Sequence, residues 1–283
     1  MRATSTFAVA DAAGYEIQMG RWSRRLAIEF AAFVELGDGE RILDVGCGTG
    51  SLASVIVSVT TTSTIDGVDL AAPYIEHAAR THRDPRLHFK VGDACALPFA
   101  NCSFDRVLSL LALHFVPRPM EAVAEMRRVA RPAALLAAAV WDLRGGFPAG
   151  RMLFDTAAAI DPAADAYRAR HLTRPLTRPG ELAEAWRSAG LLDVVETMLA
   201  IRMDYSCFDN YWSPYDGLDG PAAEYVAKLA AEKRAVLKEA VRRAYLDGDQ
   251  DGPRSFVAVA WAVKGRVPEM VPSEPRPRTV HDA

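Results

Sequence analysis

Arg41-Ile42-Leu43-Asp44-Val45-Gly46-Cys47-Gly48-Thr49-Gly50 decides the fold of this chain. Its first half is a short apolar run that carries one acid, Asp44. Its second half sets glycines at alternate positions, and an apolar helical pattern follows from about Ser51. A strand that ends in glycines and passes straight into a helix is the ligand-binding unit of open parallel sheets. Glycine adopts positive φ and lets a ligand approach the backbone. The helix beyond offers unpaired N–H groups and the positive end of its dipole.

Working outward, short apolar runs alternate with helical patterns. Residues 63–69 are rich in β-branched side chains and read as a second strand. A helix follows over 72–81, with Pro73 in its first turn, where a missing N–H costs nothing. Residues 87–91 alternate and read as a third strand. Residues 104–111 are nearly all apolar, as expected of a strand buried on both faces. A helix over 120–130 is ended by Pro132, and residues 135–141 form a fifth strand. Regular strand–helix succession implies right-handed crossovers and a parallel sheet. Beyond Trp141 come a helix over 179–189, a strand within 191–203, a long polar helix over 222–245 broken once, and a last strand over 255–263. The segments near 142–178 and 203–253 are too long for plain loops and read as insertions that together form a partly helical lid.

The expected organisation is a flexible arm over 1–12, one domain over 13–267, and a disordered tail over 268–283 that holds four prolines. Half of the 283 residues are hydrophobic, enough for a sizeable core. The net charge is −3 and no basic run stands out, so nucleic acid is not an expected partner. The four cysteines, Cys47, Cys95, Cys102 and Cys207, have no Cys-x-x-Cys spacing, and no metal is implied. They read as reduced thiols of a cytoplasmic protein. Asp11 and Glu16 interrupt the apolar stretch after Arg2, so no secretory signal is read there, and Ala133 to Trp141 is too short to span a bilayer.

The glycine spacing is Gly-x-Gly-x-Gly, whereas the dinucleotide fingerprint is Gly-x-Gly-x-x-Gly, and residue 51 is Ser. Asp69 closes the second strand, placed to accept hydrogen bonds from a ribose diol. Asp93 follows the third. Taken together, Asp44 to Gly50 resembles the first motif of class I S-adenosylmethionine-dependent methyltransferases. Gly67-Val68-Asp69-Leu70 is similar to their ribose-binding strand, and Val91-Gly92-Asp93-Ala94 with Leu97-Pro98-Phe99 to their adenine segment. Phe104-Asp105-Arg106-Val107 through His114-Phe115 resembles the fourth strand and its exit, and Val129-Ala130-Arg131-Pro132 the approach to the fifth. The nearest likeness is to the small-molecule group that includes ubiquinone/menaquinone methyltransferases. In one departure, Ala133-Ala134 stand where the family has paired glycines.

The resemblance implies a Rossmann-like α/β fold: a seven-stranded, mostly parallel sheet with helices on both faces and an antiparallel last strand. It implies S-adenosylmethionine as cofactor and a small-molecule methyl acceptor. The backbone at Gly46, Cys47, Gly48 and Gly50 would pass close to the methionine moiety, with Asp44 orienting the turn and reaching the ammonium directly or through water. Asp69 would bind the ribose, Leu70 lie on the adenine, Asp93 and Ala94 meet its edge, and the backbone of Leu110 or Leu111 face the amine. The stretch Tyr15 to Arg25 resembles a helix that some relatives fold over the cofactor, with Tyr15 and Arg24 reaching the carboxylate.

His114 follows the fourth strand at the mouth of the expected pocket and is the candidate general base. Its ordinary role would be a histidine bonded in a loop. Trp22, Trp141, Trp212 and Tyr211 are candidate walls for the acceptor, with core or lid packing as the alternative for each. Trp186 and Trp261 are assigned to the core, and His77, His82 and His88 to structural roles. Two other classes remain open: a nucleotide-dependent oxidoreductase on a similar sheet, and a non-catalytic S-adenosylmethionine-binding module.

Overall fold

The computed structural model describes residues 12–216 and 220–269. The expected arm over 1–12 and tail over 268–283 therefore fall almost wholly outside the described residues. Seven strands form one sheet: β1 (Arg41–Val45), β2 (Thr64–Asp69), β3 (Leu87–Val91), β4 (Phe104–Leu110), β5 (Ala130–Trp141), β6 (Leu192–Tyr205) and β7 (Arg254–Arg266). Their order is β3-β2-β1-β4-β5-β7-β6. The β1–β5 pairings are parallel, and β7 is antiparallel to both neighbours. The chain runs outward from β1 through β3, then returns to place β4 on the other side of β1. The strand order thus reverses between β1 and β4, and ligands bind at such a point, beyond the strands' carboxyl ends.

Period-two alternation explains which side chains face which layer. On β5, Leu135, Ala137, Ala139 and Trp141 join one core cluster, and Leu136, Ala138 and Val140 the other. The first cluster packs under α2 (Arg21–Val34), α3 (Ser51–Val59) and the insertions. The second packs under α5 (Pro119–Val129) and α8 (Glu181–Ser188), where Trp186 is fully buried and its Nε1 donates to the Leu136 carbonyl at 3.1 Å. Trp261 is only partly buried against this cluster. Trp141, last on β5, lies on the same side as the insertions.

The join from α5 to the sheet departs from expectation. The helix stops at Val129, and β5 begins at Ala130, opposite Phe104, before Pro132 rather than after it. The register then shifts between Phe104 and Arg106, and such an irregularity is where a sheet tolerates proline. Ala133 takes φ +62, a left-handed conformation that suits glycine, at the position of the family's glycine pair. Its N–H and carbonyl are both bonded, to the Val267 carbonyl and to Arg266, so the contacts of β7 hold the strained turn in place.

Both insertions are mostly helical. The first holds α6 (Pro148–Ile160) and α7 (Asp165–Leu172), and the second α9 (Phe208–Trp212), α10 (Gly220–Ala227) and α11 (Ala231–Leu246). The long polar helix is broken once, between Ala227 and Ala231. α6 packs on α11, which joins the insertions into one layer over the carboxyl end of β5. At the amino end, α1 (Ala12–Tyr15) runs through a π-helical turn, Glu16–Gly20, into α2. Among the described residues no helix is long and apolar enough to cross a membrane.

Candidate functional site

One cavity of about 480 Å³ opens along the carboxyl ends of β1, β2, β4 and β5 and continues under the insertions. Its first end is built by the glycine turn. Gly46 has φ +73, and a Cβ there would stand 2.2 Å from the Cβ of Ala112 in the exit of β4. Only glycine lets those two backbones meet. The amides of Gly46 and Cys47 donate to the Val68 carbonyl at 2.7 and 3.0 Å. The Gly48 amide donates to Asp69 Oδ2 at 2.9 Å. The turn is therefore pinned to the end of β2, which explains why glycines and Asp69 occur together.

Three acids stand at this end in different surroundings. Asp44 is 1% exposed, and neither carboxylate oxygen has a hydrogen-bond partner among the described residues. Burial, then the nearby Asp69 charge, pushes its pKa up to about 8. Asp69 also titrates above the usual carboxylate range through burial, opposed by the backbone amides of Ala71, Gly48 and Leu70. Asp93 accepts from the Cys95 amide at 2.8 Å and closes a one-pair bridge with Ala96. Asp69, Leu70, Asp93, Ala94, Gly46, Gly48, Leu110 and Leu111 all line the cavity. Leu111 takes φ +59, held by its amide to the Ala139 carbonyl at 2.7 Å.

The amino-terminal helix closes this end. Tyr15 lines the cavity, tilts against Tyr74 at 5.0 Å, and exchanges a hydrogen bond with Ser23 at 3.3 Å. Burial raises its hydroxyl to about 12. Gln18 and Met19, which sequence reasoning missed, also line it, because the π-helical turn at Glu16–Gly20 swings them inward. Glu16 accepts from Thr49 Oγ1 on the glycine turn and from Arg24.

Several expected contacts are corrected here. Arg24 is ion-paired with Glu16, is 46% exposed and does not line the cavity. Glu16, in the π-helical turn that precedes α2, holds it instead. Gly50 faces away: a Cβ there would meet His82 at 2.7 Å, and His82 Nε2 bonds the Thr49 carbonyl at 3.0 Å. His82 thus braces the turn from behind. Cys47 and Asp44 line a void of about 20 Å³ beside the main cavity rather than the cavity itself.

The other end is aromatic. Trp141 stacks on Phe147 at 5.2 Å, and Phe154, Met203, Tyr205, Tyr211 and Tyr215 complete the walls. The Tyr211 hydroxyl donates to the Ala149 carbonyl at 2.9 Å, which ties α9 to α6. Trp22 and Trp212 do not line the cavity. Trp22 packs edge-on against Tyr205 with Arg21 above it at 4.2 Å, and Trp212 stacks with Phe208. Successive helical residues point about 100° apart, so α9 turns Tyr211 inward and Trp212 away. His114 lines the cavity at 1% exposure, in a 3-10 turn over Leu113–Phe115. Burial, then Arg174 and His171, pushes its pKa well below the ordinary histidine value. It is a neutral imidazole at pH 7, and a weaker base than its residue type suggested.

Residues 43–138 match the family model described as a methyltransferase domain. A fatty-acid O-methyltransferase of Mycolicibacterium smegmatis is 36% identical over 115 residues, 41% of this chain and 42% of the relative. A phthiotriol/phenolphthiotriol dimycocerosates methyltransferase of Mycobacterium leprae is 40% identical over 119 residues, 42% and 43% of the two chains. The chain thus spans about two fifths of the length of the curated relatives it matches. A solved phosphoethanolamine N-methyltransferase 2 of Haemonchus contortus, in complex with S-adenosyl-L-methionine, shares the fold at 18% identity. Its TM-score is 0.56, over 92% of this chain and 57% of that one. Residues 43–138 thus match a methyltransferase domain, and the fold is shared with a solved methyltransferase that binds S-adenosyl-L-methionine.

Proposed function

We propose that the protein transfers a methyl group from S-adenosylmethionine to a small, largely apolar acceptor in the cytoplasm. The observation that carries this reading is one continuous cavity, polar beside the glycine turn and aromatic under the insertions. The residues at the polar end fit the cofactor. Asp44 is a buried carboxylate without a hydrogen-bond partner among the described residues, and a cationic ammonium is the group that would satisfy it. Asp69 would take the ribose hydroxyls, and Leu70, Asp93 and Ala94 the adenine. The backbones at Gly46, Gly48 and Leu110 to Leu111 would run along the methionine part, with Tyr15 covering it.

Bound there, the cofactor supplies an electrophilic methyl group on a sulfonium. The chain's own part is alignment and exclusion of water. Trp141, Phe147 and Tyr205 would hold the acceptor in a dry, apolar space, which does not oppose the loss of positive charge during transfer. His114, neutral and buried, would orient the acceptor's polar group rather than store its proton. The relatives named for a fatty acid and for phthiotriol dimycocerosates support an apolar acceptor.

Calorimetric titration with S-adenosylhomocysteine and with NADH tests the cofactor, and transfer of labelled methyl from S-adenosylmethionine tests the reaction. Binding of NADH without S-adenosylhomocysteine would establish the oxidoreductase reading instead. Cofactor binding with no transfer to a broad acceptor set would leave a binding module.

A further inference from the structure

We propose that His114 and His171 together seat a neutral hydroxyl group of the acceptor, each ring supplying one hydrogen bond. This rests on the methyl-transfer reading above. His114 comes from the exit of β4, and His171 from α7 in the first insertion, yet both line the one cavity. All four ring nitrogens are buried and have no hydrogen-bond partner among the described residues. The rings are held by packing instead: His114 lies against Phe115 at 4.1 Å, and His171 stacks on Phe154 at 4.7 Å. Folded proteins rarely leave buried polar atoms unpaired, and two such imidazoles in one cavity mark a place for a polar group.

The chemistry of that group follows from the charge state. Burial is the main cause that lowers both imidazoles, His171 to about 4, and Arg174 lowers both further. At neutral pH each ring therefore carries one N–H donor and one lone pair. A hydroxyl is likewise donor and acceptor at once: one ring can receive its O–H while the other donates to its oxygen. An ammonium would need acceptors and a counter-charge. The carboxylates that line the cavity among the described residues, Asp69 and Asp93, stand at the far end. A carboxylate could accept an N–H from each ring but would need a counter-charge as well. Arg174 sits over Phe115 at 4.4 Å and is not among the residues that line the cavity.

The test uses one apolar body with different heads. With S-adenosylhomocysteine present, para-butylphenol, para-butylbenzoate, para-butylbenzylamine and butylbenzene are titrated calorimetrically near neutral pH, where the phenol is un-ionised. The phenol should bind about fivefold to a hundredfold more tightly than butylbenzene, the range expected of two net hydrogen bonds. His171→Phe and His114→Phe should each reduce that advantage, read as the ratio of phenol to butylbenzene affinity within each variant. His171→Gln, which keeps a donor and an acceptor, should restore part of it. Tighter binding of the benzoate or the benzylamine would overturn the proposal, as would no preference for the phenol in the parent protein. A phenol advantage that survives both phenylalanine variants would also overturn it. S-adenosylhomocysteine affinity is measured separately. Its absence sinks the methyl-transfer reading, and the head-group preference can still be read without the cofactor product.

Discussion

The two ends of the cavity are built by different means. The glycine-turn end is made of strand termini and one tight turn, with polar groups fixed by the backbone: Gly48 to Asp69, Gly46 and Cys47 to Val68, Leu111 to Ala139. The aromatic end is made of side chains from segments far apart in sequence, brought together by packing of α6 on β7 and α11, of α7 on α6, and of α9 on β6. Hydrogen bonds with set geometry demand particular residues at particular spacings. Apolar packing asks only for suitable volume and tolerates substitution. The first end should therefore fail sharply under mutation, and the second by degrees.

The largest expected effect comes from Gly46→Val. Its branched side chain collides with Ala112 and is strained at positive φ, so binding of S-adenosylhomocysteine should fall by about a hundredfold or more, as calorimetry would show. Retained affinity within a few-fold would mean that the turn does not contact the cofactor.

Asp44→Asn sharpens the contrast because its sign is unusual. The carboxyl titrates at about 8 when folded and near the ordinary Asp value when unfolded, so over that interval the unfolded chain binds fewer protons. The ligand-free protein should thus lose stability as pH rises from about 4 to about 8. The asparagine variant should remove that loss and melt higher than the parent near pH 8, while binding S-adenosylhomocysteine about tenfold more weakly. In the parent, affinity should rise with pH toward 8, since the ionised carboxylate is the form an ammonium prefers. A flat pH profile in both measurements would remove Asp44 from the site.

At the other end, Trp141→Ala should raise the acceptor KM by about tenfold and cost about 3 kcal/mol of stability, with S-adenosylhomocysteine affinity unchanged. An equal loss at both ends would show that the cavity behaves as one cooperative unit. The smallest effect belongs to Arg24→Ala. The pair with Glu16 is half-exposed, so stability should change by less than about 1 kcal/mol and cofactor affinity by less than about twofold. A large loss of affinity would return Arg24 to the cofactor.

The same contrast explains what was legible in the chain. Six strands between Arg41 and Arg266 lie within a few residues of their expected places, and the antiparallel last strand follows the resemblance. β5 is the exception. Its start at Ala130 was hidden because Pro132 reads as a stop, whereas here it sits at a register shift that the pairing with β4 and β7 accommodates. Among the aromatic residues, Trp141 was placed by its position at a strand end. Trp22 and Trp212 misled because side-chain type says nothing of direction, and on a short helix one residue decides between Tyr211 and its neighbour. Met203, Tyr205, Phe147, Phe154 and His171 carried no local signal. Gln18 and Met19 were missed because nothing in the sequence announces a π-helical turn.

What the sequence by itself determined is the sheet and the acids and glycines at its edge, because alternation, turn geometry and backbone hydrogen bonding act over a few residues. What only the tertiary structure decided is the aromatic end of the cavity, and the isolation of Asp44 and the two histidines from hydrogen-bond partners among the described residues. Burial and absence of a partner belong to no single stretch of chain. They arise only when α2, β4 and the two insertions close around the same space.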